Sequence, residues 1–119
     1  MKLRILTIVI FSGLFLAMTT GPKQLLKTSL RITVLNDLGN IQENATVQLF
    51  PSEEDYRNET KPVGPAQKTD KKGRVTFKDL KPRVYFIHAK KGDATNVGRG
   101  VQTEKLEEGK VNKLNTVIE

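Results

Sequence analysis

The chain has 119 residues, a formal net charge of +7, one histidine and no cysteine. This composition excludes disulfides, thiol nucleophiles and the usual zinc sites, which need several histidine or cysteine ligands. It also excludes a lipoprotein anchor, which requires a cysteine at the mature N-terminus. We therefore expect apolar packing and β-ladder hydrogen bonds to hold the fold together without crosslinks.

The first 20 residues are typical of an export signal. Lys2 and Arg4 form a positive start, and an almost wholly apolar run of 14 residues follows. A transmembrane helix needs about 20 apolar residues, whereas the apolar part of a signal peptide has roughly 7 to 15. We predict a signal peptide at 1–20, cleaved after Thr19 or Thr20, in a bacterial protein that is periplasmic or secreted. The alternative is an uncleaved segment, which would provide the only membrane contact.

The remaining charge is basic but dispersed. Removal of residues 1–20 leaves 18 basic and 13 acidic side chains, a net charge of +5. Nucleic-acid binders cluster basic residues and interleave aromatic ones, whereas these lysines share predicted turns with aspartates. We predict no nucleic-acid partner. The lysines are expected to form a solvated rim that protects strand edges; the alternative is attraction to an anionic envelope surface or polysaccharide.

A short polar tether is predicted at 21–28, followed by one domain at 29–119. Leu30, Ile32 and Val34 alternate with Arg31 and Thr33, which predicts a first strand at 30–34 with the apolar residues inward and the polar ones outward. A second strand is predicted at 45–50, with Ala45, Val47 and Leu49 inward. The loop at 51–65 contains three prolines and an acidic run. A helical turn capped by Ser52 is predicted at its start, and a short edge strand at 60–63 is the alternative.

The second half of the chain predicts further short strands joined by turns. Asp70 to Gly73 forms a hairpin turn, and Leu80 is expected to fill the core. The predicted strands are 66–69, 74–77, 84–90, 97–103 and 110–118. Their expected inward residues are Val75, Phe77, Tyr85, Ile87, Ala89, Leu114, Thr116 and Ile118. About seven strands without an amphipathic helix predict an all-β fold, a seven-stranded antiparallel Greek-key β-sandwich preceded by the signal helix.

This order of residues resembles the carboxypeptidase regulatory-like domains, which share the transthyretin-type, prealbumin-like β-sandwich. The resemblance covers nearly the whole mature chain and implies a structural or binding module that accompanies another protein. Its motifs are a first strand and glycine turn, a strand with alanine and valine, a "T-D-x-x-G" hairpin and an "L-x-P-x-x-Y" strand. They stand here at Val34–Gly39, Ala45–Leu49, Thr69–Phe77, and Leu80, Pro82, Tyr85, Ile87, Ala89 and Gly92.

The resemblance also allows an enzyme hypothesis to be weighed. Transthyretin-related hydroxyisourate hydrolases use several histidines, an arginine and a Tyr-Arg-Gly-Ser type ending. This chain has only His88 and ends in Asn115–Glu119. The run Glu53, Glu54 and Asp55 is not spaced like a calcium loop. We therefore expect a protein that is not an enzyme and uses no cofactor or metal.

A covalent crosslink is a further alternative. The chain is similar to the B-type repeats of bacterial adhesins, in which a first-strand lysine joins a last-strand asparagine. Asn112 and Asn115 stand on the last predicted strand. The candidate partner on the first strand is Arg31, and arginine cannot perform this chemistry; the other candidate, Lys27, lies outside the strand.

The function predicted from the sequence is a structural or protein-interaction role in the bacterial envelope. Carbohydrate or anionic-glycan binding is the alternative, with Tyr56, Tyr85 and Phe86 as stacking groups. The outward residues of the hairpin and of the strongest strand form the predicted interaction face, with an unidentified protein or envelope surface as the partner. These residues are Arg74, Phe86, His88 and Lys90.

Overall fold

Seven strands and one short helix form the computed structural model of this chain, which describes residues 27–119. The predicted signal peptide and most of the predicted tether lie outside the described residues. In chain order the elements are β1 (Ser29–Asn36), β2 (Thr46–Phe50), α1 (Glu53–Asn58), β3 (Gln67–Lys68), β4 (Arg74–Phe77), β5 (Phe86–Lys91), β6 (Ala94–Thr95) and β7 (Val111–Ile118).

The strands form two sheets that pack against each other. One has the order β4-β1-β7 and the other the order β3-β2-β5-β6. The predicted all-β sandwich is therefore confirmed. One strand pair differs from the antiparallel prediction, because β1 and β7 run parallel, with Ser29 opposite Val111 and Asn36 opposite Ile118. Parallel neighbours cannot be joined by a tight hairpin. Here all the elements from β2 to β6 lie between β1 and β7 in the chain, and the segment after β6 crosses from the four-stranded sheet to the three-stranded one.

The predicted strand at 97–103 is replaced by an irregular segment that still pairs with β5. The Ile87 amide donates to the Val101 carbonyl at 2.7 Å, and the Thr103 amide donates to the Tyr85 carbonyl at 2.9 Å. Gly98 and Gly100 adopt left-handed backbone angles, which interrupt a regular strand. The capped helical turn is confirmed as α1, whereas the alternative edge strand at 60–63 is absent from the part of the chain described.

The core lies between the sheets and consists of the inward residues of alternating strand positions. It contains the predicted inward side chains of β1, β2, β4 and β5, and Leu80 and Leu114 pack against it half-buried. Burial of such side chains contributes roughly 25 cal/mol per Å² of apolar surface, as an upper estimate. The buried core residues are Leu30, Ile32, Val34, Ala45, Val47, Leu49, Val75, Phe77, Tyr85, Ile87, Ala89, Leu106 and Ile118.

Asn96 connects the two sheets inside this core. Its side-chain oxygen accepts from the Ala89 amide at 2.9 Å, and its Nδ2 donates to the Ile87 carbonyl and to Thr116 Oγ1, each at 3.0 Å. Ala89 and Ile87 belong to β5, whereas Thr116 belongs to β7 in the other sheet. Asn96 is fully buried, so these bonds satisfy polar groups that water cannot reach.

Candidate functional site

The outer faces of the two sheets are the surfaces on which a partner could bind. Successive side chains of a strand point to opposite sides, so each strand contributes its alternate residues to an outer face. We call the outer side of the four-stranded sheet the helix-covered face, formed by Thr46, Gln48, Phe50, Phe86, His88 and Lys90. We call the outer side of the three-stranded sheet the basic face, formed by Arg31, Thr33, Arg74, Thr76, Lys113 and Asn115.

Three of the four residues predicted as an interaction face lie together. Phe86, His88 and Lys90 are alternate residues of β5 on the helix-covered face. Arg74 lies on β4, in the other sheet, and therefore belongs to the basic face. Sequence alternation identified these side chains as outward, but it could not assign the strands to sheets.

Helix α1 occupies part of the helix-covered face. The Tyr56 ring lies 6.0 Å from Phe50, 6.3 Å from Phe86 and 6.2 Å from His88, measured between ring centroids. Phe50 is only 1% exposed although it points away from the main core. Burial raises the pKa of the Tyr56 hydroxyl, and the negative charge of Glu59 adds to this effect. The four rings form a second, smaller apolar cluster.

This packing reduces the aromatic surface available for stacking on a sugar. Tyr85, predicted as a stacking group, is buried in the main core with 3% exposure. Its hydroxyl donates to the Lys81 carbonyl at 3.2 Å and accepts from the Lys81 amide at 3.0 Å. Tyr56 and Phe86 remain half-buried against each other. Of the three rings predicted to stack on a glycan, Tyr85 is therefore not accessible.

The basic face brings together residues that are far apart in the sequence. In one row Arg31 on β1 lies between Thr76 on β4 and Lys113 on β7. In the next row Thr33 lies between Arg74 and Asn115. Sequence analysis placed Arg31 outward but did not identify it or Lys113 as site residues. The alternation of apolar and polar residues indicates that each side chain points outward. That Arg31 and Lys113 are neighbours depends on the pairing of β7 with β1, which no local pattern indicates.

The positive charges of this face are weakly compensated. Four salt bridges occur within residues 27–119, and none of them involves Arg31, Arg74 or Lys113. Arg31, Arg74 and Thr76 line two shallow depressions together with Asp70. The carboxylate of Asp70 faces the hairpin backbone.

Asp70 Oδ1 accepts from the amides of Lys72 at 2.8 Å and Arg74 at 3.1 Å. These hydrogen bonds hold the pKa of its carboxyl below the usual value, and the Arg74 and Lys72 charges add to the effect. The carboxylate of Asp70 is thus engaged by the turn. The other acid at the depressions, Asp79, lines one of them and forms a salt bridge with Lys27 at 3.3 Å.

Three further features concern metal binding, membrane crossing and the crosslink alternative. Among residues 27–119, no group of three histidine, cysteine, aspartate or glutamate side chains could hold a metal ion. No helix there has the length and apolar character needed to cross a membrane. The Asn112 amide donates to the carbonyls of Ser29 and Glu107, each at 3.1 Å, and Asn112 lies opposite Leu30. The β1 neighbour of Asn112 is therefore a leucine, and not the lysine that the crosslink alternative requires.

Comparisons with known proteins give distant structural similarity. A TIE protein of Bacillus anthracis is 22% identical with a TM-score of 0.53, covering 78% of this chain and 18% of that one. A chlorocatechol 1,2-dioxygenase from Pseudomonas putida is 17% identical with a TM-score of 0.46, covering 84% and 64%. A Pseudomonas aeruginosa protein provisionally described as carbohydrate binding is 13% identical with a TM-score of 0.44, covering 83% and 93%.

These similarities concern the fold. The first supports the β-sandwich architecture alone, and this chain spans less than a fifth of the TIE protein chain that it matches. The other two have TM-scores below 0.5 and support no argument about activity. No protein-family model matches the sequence, and no curated protein matches it.

Proposed function

We propose that this chain is a non-enzymatic, exported β-sandwich module, of the carboxypeptidase regulatory-like type, that binds a component of the bacterial envelope. One observation carries the proposal. The basic side chains Arg31, Arg74 and Lys113 share one outer sheet face, take no part in the core and form none of the salt bridges within residues 27–119. Side chains without a structural use on an ordered scaffold are suited to recognition.

The use of polar groups in the interior supports a binding role over a catalytic one. Every buried side-chain nitrogen and oxygen among the described residues has a hydrogen-bond partner. Asn96 and Thr116 join the sheets, and Thr103 Oγ1 accepts from the Tyr85 amide at 2.9 Å. These groups hold loops and strands in place, so the polar groups left for a partner lie at the surface.

The binding part of the proposal is tested by sedimentation with washed envelope fragments. We expect the mature protein to pellet with the fragments at low salt and less at high salt, because salt screens exposed charges. The variant Arg31→Gln/Arg74→Gln should remain in the supernatant. The matched control Lys61→Gln/Lys91→Gln removes the same charge at two exposed positions outside the basic face, in the loop after α1 and at the end of β5, and should pellet normally. Failure of the wild-type protein to pellet would contradict envelope binding.

The export part needs a separate measurement. Fractionation of cells that express the full chain should place the protein outside the cytoplasm, and N-terminal sequencing should begin at residue 20 or 21. Recovery in the cytoplasm with residues 1–20 attached would contradict export.

Glycan binding is the second candidate function. It is favoured by the neutral polar residues Thr33, Thr76 and Asn115, which alternate with the basic residues on the same face. Hydroxyl and amide groups can both donate and accept hydrogen bonds, as sugar hydroxyls require.

A further inference from the structure

We infer that the basic face binds an extended anionic polysaccharide, whose acidic groups are held by Arg31, Arg74 and Lys113. This inference rests on the proposed function and specifies the partner. Its starting point is the register of β4, β1 and β7, which brings the three cationic side chains onto two adjacent rows of one sheet face.

The spacing of these side chains suits a ligand with repeated charges. Residues directly opposite on neighbouring strands are separated by about 5 Å, and diagonal neighbours by about 7–8 Å. Arg31 and Lys113 are direct neighbours, whereas Arg31 and Arg74 are diagonal. The face therefore presents cations in two directions, across the strands and along them.

Electrostatic repulsion within the basic face of the unbound protein favours the binding of an anion there. Like charges on neighbouring strands repel each other, and Arg31 and Lys113 face each other across the parallel pair β1 and β7. Neither forms one of the salt bridges within the described residues 27–119. A carboxylate, sulfate or phosphate group between them would relieve this repulsion. Relief of a repulsion that is present in the unbound protein favours binding of the anion.

The residue types indicate an oxyanion that is attached to a hydroxyl-rich chain. Two of the three cations are arginines, whose planar guanidinium can donate two parallel hydrogen bonds to one oxyanion. The positions beside them carry Thr33, Thr76 and Asn115, which can hydrogen-bond to sugar hydroxyls.

Other anionic partners fit this face less well. The two rows contain no aromatic residue, so nucleic-acid bases have no ring on which to stack. An acidic protein would be expected to meet an apolar centre, but the centre of this face is polar. A membrane would meet apolar side chains only at the two ends of this face, with the polar rows between them. Leu35, Ile41 and Val117 lie at one end, where Leu35 and Val117 are half-buried, and the exposed Val111 lies at the other.

The test measures binding of the mature protein to polygalacturonate and to heparin by isothermal titration calorimetry. Dextran serves as the neutral polysaccharide, and phosphatidylglycerol vesicles, duplex DNA and polyglutamate represent the other anionic classes. We expect binding to at least one anionic polysaccharide, none to dextran, and weaker binding to the other three.

Variants locate the site. Arg31→Gln/Arg74→Gln should weaken polysaccharide binding by about 10-fold or more, because it removes two charge-assisted contacts. Lys61→Gln/Lys91→Gln removes equal charge at two exposed positions outside the basic face and should change affinity by less than about 2-fold, since distant exposed charges are screened. Arg31→Lys/Arg74→Lys keeps the charge but loses the fork and should give an intermediate affinity. Circular dichroism and thermal unfolding verify that each variant folds.

Equal losses in the two glutamine variants would overturn the inference, as would preferred binding to vesicles, DNA or polyglutamate. Absence of polysaccharide binding would also overturn it. If envelope fragments still pellet the wild-type protein and not the basic-face variant, the proposed function survives and only the polysaccharide assignment fails. If the fragments pellet neither protein, both proposals fail.

Discussion

Both outer sheet faces are formed by the outward residues of alternating strand positions, but one is partly covered by α1 and the other stays exposed. On the helix-covered face, β2 and β5 direct Phe50 and Phe86 outward, and the connection after β2 folds back so that Tyr56 packs on both. On the basic face, the corresponding positions carry arginine, lysine, threonine and asparagine, and they remain on the surface. The chemistry of the outward residues thus decides which face becomes a second apolar cluster and which stays open for a partner.

The largest expected effect tests this difference directly. Phe50→Ala should reduce the free energy of unfolding by about 3–5 kcal/mol, because it removes a buried aromatic ring and leaves a cavity under α1. The control Arg74→Gln, at an exposed position of the basic face, should change stability by no more than about 0.5 kcal/mol. Urea unfolding gives both values, and similar losses in the two variants would remove the distinction between the faces.

Asn96→Ala should produce the next largest effect. The Ala89 amide and the Ile87 carbonyl would lose their bonds to this buried side chain, and each unsatisfied buried group costs about 1–3 kcal/mol. We expect a total loss of about 2–4 kcal/mol by urea unfolding.

The control for Asn96 is Asn115→Ala, an exposed asparagine of β7, which should cost less than about 1 kcal/mol. Because Asn96 joins β5 to β7, its removal should weaken both sheets in hydrogen exchange. Loss of protection in one sheet alone would contradict the joining role.

A smaller effect is expected from the cap of α1. The Ser52 hydroxyl accepts from the Asp55 amide at 3.1 Å, and removal of such a cap costs about 1 kcal/mol. Ser52→Ala should therefore lower the melting temperature by about 4–8 °C in a domain of this size. Asn58→Ala, an exposed change in the same helix, is the control. An unchanged melting temperature for Ser52→Ala would show that α1 does not stabilise the fold.

The smallest expected effects are in the pH dependence, where the two faces should respond at opposite ends of the scale. The pKa of Asp70 is lowered by its backbone hydrogen bonds, so its contribution is present above the unfolded value of about 3.9 and is lost as pH falls through the folded pKa. The pKa of Tyr56 is raised by burial, so its contribution is present below about 10 and is lost as pH rises through the folded pKa.

Two variants separate these effects. Asp70→Asn should reduce the loss of stability that occurs as the pH falls below about 4. Tyr56→Phe should reduce the loss of stability that occurs as the pH rises above about 10. Unfolding in urea across the pH range measures both. An acid response that is unchanged in Asp70→Asn, or an alkaline response unchanged in Tyr56→Phe, would contradict the assignment.

Local patterns in the sequence were sufficient for the elements and for the direction of their side chains. The alternation of Leu30, Ile32 and Val34 predicted the inward face of β1, and Ser52 predicted the start of α1; the structure confirms both. The same patterns identified Phe86, His88 and Lys90 as outward. Such patterns work because the side chains of a strand alternate with a period of two, and because capping depends on residues close in sequence.

Only the tertiary structure decided which outward residues become neighbours. Arg31 lies beside Lys113, 82 positions away, because the crossover after β6 returns the chain parallel to β1. Arg74 lies on the basic face and not with Phe86, because β4 pairs with β1. The sequence by itself determined a β-sandwich with apolar and polar strand faces. The composition of each surface was decided by strand pairing, which depends on the packing of the whole chain and on no local pattern.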